Sequence, residues 1–220
     1  MSQLLGGVGT AQTRNWLVED MFGGSTGVSL VDRVPAISIG SPWQASNGGF
    51  SIEGSSVGSS VTRAVLTTAA AGQEVVVIDV GTTSFEIQAR VKPSTDVASA
   101  DFGVVGRWNH NSSYWLFNGV TGQGFSIYDR TGGTFTQRAV TNQVCTAGQS
   151  YNLNVTFSSN TISYNVVSSD ASTTITFATT GNGTSVHRNN TRAGIRLHSP
   201  NDSTLNTEFE YFRVRAITST

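Results

Sequence analysis

Apolar and polar residues alternate along most of this chain with a period of two. In SFEIQARV, Phe85, Ile87, Ala89 and Val91 fall on one side, while Glu86, Gln88 and Arg90 fall on the other. YNLNVTF sets Tyr151, Leu153, Val155 and Phe157 against Asn152, Asn154 and Thr156. TISYNVV, TTITF and FSIY repeat the pattern over shorter spans. Successive side chains of a strand point to opposite faces, so such runs predict strands with one buried and one wet face, as in antiparallel sheets. The breaks between them, TGGT, SSN, GNGT and SPNDS, are turn chemistry.

No window carries a 3.6-residue stripe longer than two turns. VTRAVLTTAAAGQEV is the single helix candidate, and its β-branched residues describe a strand ending in a loop equally well. Roughly a dozen strands or more, spaced by about 8–12 residues, predict an all-β sandwich or barrel. There is neither a long linker nor a repeat of 20–50 residues, so residues 16–220 are expected to form one domain. TEFEYFRVRAI is expected to be a terminal strand that pairs back near the N-terminal one.

Composition narrows the partners. At 220 residues the chain can bury a core without metals or disulfides. Charged residues are 12%, Lys92 is the only lysine, and the formal net charge is −1. Nucleic-acid binding and electrostatic membrane docking both need a concentrated basic surface, so neither is expected. Cys145 stands alone, which excludes an intramolecular disulfide and a cysteine metal cluster. MSQLLGGVGTAQTRNW has no charged segment ahead of a long apolar run, so no signal peptide is expected there. No stretch approaches the ~18 apolar residues of a membrane-crossing helix, so membrane insertion is not expected. Sequons at Asn111, Asn154, Asn182, Asn189 and Asn201 carry no weight in a chain so rich in Asn, Ser and Thr.

Candidate chemistry is sparse. His110, His187 and His198 sit in polar loops or at strand ends, with no Gly-x-Ser-x-Gly elbow. GGVGT is not followed by Gly-Lys-Ser/Thr, and no close His or Cys spacing suits zinc. Calcium takes oxygen ligands from loops, and the candidates are Asp101 with Asn109 and Asn111, or Asn201 with Asp202. Neither set has a dense carboxylate run.

The stretch GVVGRWNHNSSYWLFNGV, from Gly103 to Val120, concentrates polar and aromatic residues. If its halves pair, Asn109, His110, Asn111 and Ser112 form a hairpin loop flanked by Trp108 and Tyr114. Arg107 and Trp115 then point elsewhere. Aromatic rings beside carboxamides suit a sugar, whose apolar face lies on a ring while its hydroxyls need fixed partners. Trp108, Asn109, His110, Asn111 and Tyr114 are therefore the glycan-site candidates. The plainer reading is a hairpin in which one aromatic plugs the core.

EDMFGGSTGVSLVDRVPAISIGSPWQASNGGFSIEG carries more than strand pattern. Its Asp-x-Phe start, Gly/Ser loop, Leu30, Asp32, Pro35, Gly40, Trp43 and Gly-Gly-Phe strand resemble the opening of a concanavalin A-like (laminin G-like) domain of the lectin/glucanase kind. That opening is common in bacterial and tailed-bacteriophage virion proteins. FEIQARV, GVVGRWNHNSSYWLF, and AGIRLHS with TEFEYFRVRA resemble later pieces of the family in order, so the match spans roughly residues 16 to 217. The resemblance implies a jelly-roll β-sandwich of two large antiparallel sheets, and it explains the 103–120 hairpin as framework. Several members bind glycans, often with calcium; others are structural modules. A β-glucanase of this fold would carry Glu-x-Asp-x-x-Glu on one strand, and this chain has no such triplet. Glu208 and Glu210 are the nearest acidic cluster, and they have no third acid. No enzymatic activity is therefore expected.

The leading expectation is a structural virion protein of a tailed bacteriophage, a decoration, fibre-base or tail-tip module. The chain reads as an entire gene product made in the host cytoplasm. Residues 1–15 are expected to be an anchoring arm onto other virion proteins, and the assembly to be a homo-oligomer. The alternative is a glycan-binding lectin-type module for host-surface glycan, and the last a glycoside hydrolase.

Overall fold

The structure is a computed structural model. It describes residues 16–22, 28–32, 34–38, 42–47, 50–54, 62–66, 72–95, 99–158, 161–179, 187–199 and 207–217. The arm expected at residues 1–15 lies outside the described residues. Among the described residues, sixteen strands form two sheets, and the only helical element is a 3-10 turn at Leu30–Asp32. The all-β sandwich expected from the alternation is the observed fold. The helix candidate divides between two strands, Thr62–Leu66 and Gly72–Asp79.

One sheet has nine strands. In spatial order these are β14 (Thr174–Thr179), β13 (Thr161–Ser168), β12 (Tyr151–Ser158), β7 (Phe85–Lys92), β16 (Glu208–Ala216), β5 (Thr62–Leu66), β4 (Phe50–Gly54) and β2 (Val28–Ser29). β1 (Trp16–Asp20) also pairs with β16, matching Trp16 to Arg215 and Asp20 to Phe212. The terminal run thus returns to the N-terminal strand, as its pattern predicts. The other sheet has seven strands: β11 (Thr134–Val140), β10 (Phe125–Thr131), β9 (Ser113–Val120), β8 (Asp101–His110), β15 (Arg192–Ser199), β6 (Gly72–Asp79) and β3 (Gln44–Asn47).

The inward residues of both sheets form one continuous core. Ile87, Val91, Leu153, Val155, Phe157, Phe212 and Val214 of the nine-stranded sheet meet Val76, Ile78, Phe102, Val104, Trp115, Phe117 and Ile195 of the other. Each such side chain contributes about 1.5–3 kcal/mol on burial, so this layer outweighs any surface ion pair. Phe117 packs edge-on against Phe157 and Tyr164, with ring centroids 5.5 Å apart in both cases. Cys145 is fully buried beside Tyr151, and burial pushes its thiol pKa up to about 12. The Asp-x-Phe and Trp of the opening motif lock together. Asp20 Oδ1 accepts the Phe22 N–H at 2.8 Å, and Oδ2 accepts the Trp43 indole N–H at 3.0 Å.

The outward faces differ. That of the nine-stranded sheet is polar, with Glu86, Gln88 and Arg90 beside Asn152, Asn154 and Thr156. That of the seven-stranded sheet carries a second apolar cluster: Val75, Val77, Val105, Trp108, Tyr114 and Leu116. Gly194 lies between β6 and β8 on this face. A Cβ there would meet the Val76 carbonyl oxygen at 1.9 Å, so close strand approach requires glycine.

Candidate functional site

The candidate hairpin is tighter than the sequence suggests. β8 runs through His110, and Asn111 and Ser112 alone make the turn, with His110 paired to Ser113. The His110 imidazole completes it by accepting the Ser112 N–H at Nδ1, 3.2 Å away. Asn109, His110 and Asn111 are exposed at this tip.

A β-bulge just before the tip decides where the aromatics point. Arg192 of β15 lies opposite Trp108 while Ala193 lies opposite Gly106, so Arg107 is an extra residue in β8. Arg107 adopts the left-handed region at φ 48°, which costs on the order of 1 kcal/mol for a non-glycine residue. Its guanidinium offsets that cost by donating from Nη2 to the Thr83 carbonyl at 3.1 Å and lying over the Phe157 ring at 5.1 Å. Burial, and then the charge of Arg188, lower its pKa. The bulge turns Trp108 outward onto the face it shares with Tyr114, while Trp115 enters the core.

Trp108 is not an open stacking platform. It is 8% exposed, with the Arg192 guanidinium 5.5 Å from its ring centroid and its indole N–H buried without a partner. Trp108 and Asn109 instead help line a half-open cavity of about 230 Å³ with Asp79, Asn189, Asn190, Thr191 and Arg192. Asp79 Oδ1 accepts the Gly81 N–H at 2.9 Å and the Thr191 hydroxyl at 2.7 Å, which ties the end of β6 to the start of β15. The turn carrying Arg188 and Asn189 closes through the Asn190 N–H on the His187 carbonyl at 3.1 Å. His187 pins this turn from inside: it is fully buried, with Nε2 3.0 Å from Asp129 Oδ1 and 3.2 Å from Thr131 Oγ1. Burial alone would raise the Asp129 carboxyl, but hydrogen bonds from Arg138, His187 and Thr131 outweigh it and hold its pKa below 3.8.

The structure thus brings Trp108 and Asn109 into one cavity and leaves His110 and Asn111 at the turn. Tyr114 is fully buried, and its phenol oxygen accepts a hydrogen bond from Arg130 Nη1 at 3.1 Å. The calcium grouping of Asp101 with Asn109 and Asn111 does not assemble. Asp101 starts β8 and Asn109 lies near its far end, about 25 Å away at ~3.3 Å per residue. Asp101 instead pairs with Arg196 at 2.8 Å and accepts from Asn118 at 2.9 Å. Asn201 and Asp202 lie outside the described residues. Glu208 and Glu210 lie on β16, where Glu210 is 3.2 Å from Arg90. Among the described residues no cluster of three or more His, Cys, Asp or Glu could hold a metal.

The sequence reading missed Asp79, Asn189, Asn190, Thr191 and Arg192. A signal was present in the run RNNTR at 188–192, a basic, carboxamide-rich turn directly before a strand. Its position opposite Trp108 depends on the long-range pairing of β15 with β8. A second half-open cavity, of about 360 Å³, lies along β9, β10 and β11 between Tyr128, Gln137, Ser126, Val140 and Val144.

No family profile matches the chain, and no curated protein matches it in sequence. Solved structures do share its fold. It is similar to a xylan β-1,4-xylosidase from Bacillus halodurans, at 11% identity and a TM-score of 0.56 over 70% of this chain, which spans only 32% of the xylosidase. It is similar to the carbohydrate-binding module CBM66 from Bacillus subtilis, at 10% identity and a TM-score of 0.50, covering 76% of this chain and 91% of the module. It is also similar to the exoplasmic/lumenal domain of VIP36 in a Ca²⁺- and mannose-bound form, at 11% identity and a TM-score of 0.54, covering 81% and 83%. At these identities the likeness is one of fold, consistent with the concanavalin A-like sandwich that the motifs suggest. The xylosidase overturns one expectation. Absence of the Glu-x-Asp-x-x-Glu triplet led to the expectation of no enzyme, yet glycoside hydrolases are among the chains that share this fold. One missing catalytic motif therefore does not separate this chain from enzymes.

Proposed function

We propose that this chain is a glycan-binding sandwich that holds sugar in the cavity beside Trp108. The observation that carries the reading is the lining: three carboxamides, a carboxylate, a hydroxyl and a guanidinium converge on one small, half-open space. Sugar hydroxyls need this density of paired donors and acceptors, held on ordered strand ends. The lectin and carbohydrate-binding module among the similar structures support the reading at the level of fold. Retention of the purified protein on a panel of immobilised oligosaccharides tests it. Asn109→Ala with Asn190→Ala is expected to abolish retention without lowering the melting temperature. Equal retention by this variant would sink the assignment to this cavity.

The setting we propose is a tailed-bacteriophage virion, with residues 1–15 anchoring a homo-oligomer of the sandwich onto other virion proteins and the cavity turned toward host-surface glycan. The opening motif from Glu19 to Gly54 and the lysine-poor composition support it. Imaging particles that contain the chain tests it: the arm is expected against a neighbouring subunit, and an arm free of neighbours refutes the anchoring role.

A further inference from the structure

Among the described residues, most arginine side chains already have partners. Arg90, Arg138, Arg196, Arg213 and Arg215 each meet a carboxylate. Arg107 donates to a carbonyl and Arg130 to a phenol oxygen. Among the described residues, no hydrogen bond or ion pair engages the side chain of Arg188, on the turn, or of Arg192, which opens β15 and lines the cavity.

Arg192 is half-buried, with its guanidinium carbon 5.5 Å from the Trp108 ring centroid, a contact that restrains the side chain while leaving its N–H groups unused. Such a fork matches the two oxygens of a carboxylate, and ordering by the ring reduces the entropy lost on binding. Arg188 lies on the turn next to Asn189, and Asp79 is the one carboxylate among the described lining residues, with Oδ1 already committed to Gly81 and Thr191. Asn109, Asn189 and Asn190 supply both donors and acceptors around the fork, as a hydroxylated ring would need.

We infer that the cavity selects an acidic saccharide, a uronic or sialic acid residue, with Arg192 as the bidentate partner of its carboxylate. This rests on the glycan reading above and specifies its ligand class. Trp108 then acts as a support for Arg192 rather than as the surface on which the sugar stacks.

Calorimetric titration of the whole chain tests the inference, using oligogalacturonate against its methyl ester and sialyllactose against lactose. At least one acid is expected to bind at least about tenfold more tightly than its neutral counterpart, the range of a charge-assisted hydrogen bond. Arg192→Gln should remove that margin, Arg192→Lys should restore only part of it, and Lys92→Gln, an equal loss of charge on the other sheet, should leave it intact. A melting curve for each variant separates lost binding from lost folding. Equal affinity for acid and neutral forms overturns the acid selectivity and leaves the glycan reading standing. Displacement of the saccharide by sulfate at equal concentration overturns it in favour of a plain anion site. No binding by any of the four overturns the inference, and failure on neutral panel sugars as well overturns the glycan reading.

Discussion

The outward faces of the two sheets follow different rules. On the nine-stranded sheet β12 reads strictly alternate in burial, and its outward Asn152, Asn154 and Thr156 sit beside Glu86, Gln88 and Arg90. Charges there are matched locally, as Arg215 on Glu86 and Arg213 on Glu19. On the seven-stranded sheet β8 and β9 are buried on both sides through seven consecutive residues each, and the outward side carries Val105, Trp108, Tyr114 and Leu116. A polar outward face asks only for solvation, whereas an apolar one must be packed. The ordered cavity stands at the end of the packed face, where rigid neighbours hold its side chains in place.

Truncation should separate the faces most sharply. Trp108→Ala is expected to lower unfolding free energy by about 3 kcal/mol, in the range for a large buried aromatic, and to release Arg192. Urea unfolding measures it, and an unchanged midpoint would show that the outward cluster contributes no packing. A smaller effect belongs to Asp129, which holds the His187 turn. Its pKa is depressed in the folded state, so its contribution is fully present above the ordinary value of 3.8 and is lost as pH falls from there through the lower folded pKa. Asp129→Asn should cost on the order of 1–3 kcal/mol at neutral pH and lose less stability than the parent as pH falls below about 4. Parallel urea curves in the two strains would refute the linkage. Glu86→Gln on the polar face leaves a half-exposed Arg215 that water can solvate, and about 1 kcal/mol or less is expected by chemical denaturation. Asn154→Ala should fall within about 0.5 kcal/mol of the parent by the same method, since its buried Oδ1 has no hydrogen-bond partner to lose.

Period-two alternation made the nine-stranded face legible, because solvent on one side and core on the other impose opposite chemistry on successive residues. It also placed the return of β16 to β1. It said less about β8 and β9, where apolar side chains lie on both faces and the polarity signal vanishes. The bulge at Arg107 escaped it as well, since one extra residue shows only against the partner strand. The candidate cavity was half legible. Trp108 and Asn109 stood out by composition, whereas Arg192 and Asp79 reach it through pairings that join residues 108, 192 and 79. No local pattern encodes those.

Cys145 gives the molecule a built-in reporter. Its thiol is sealed in the core and held far from the thiolate form, so a reagent cannot react with it until the sandwich opens. Because the chain has one cysteine, labelling is all-or-none per molecule. Its rate under native conditions therefore clocks how often the two sheets part.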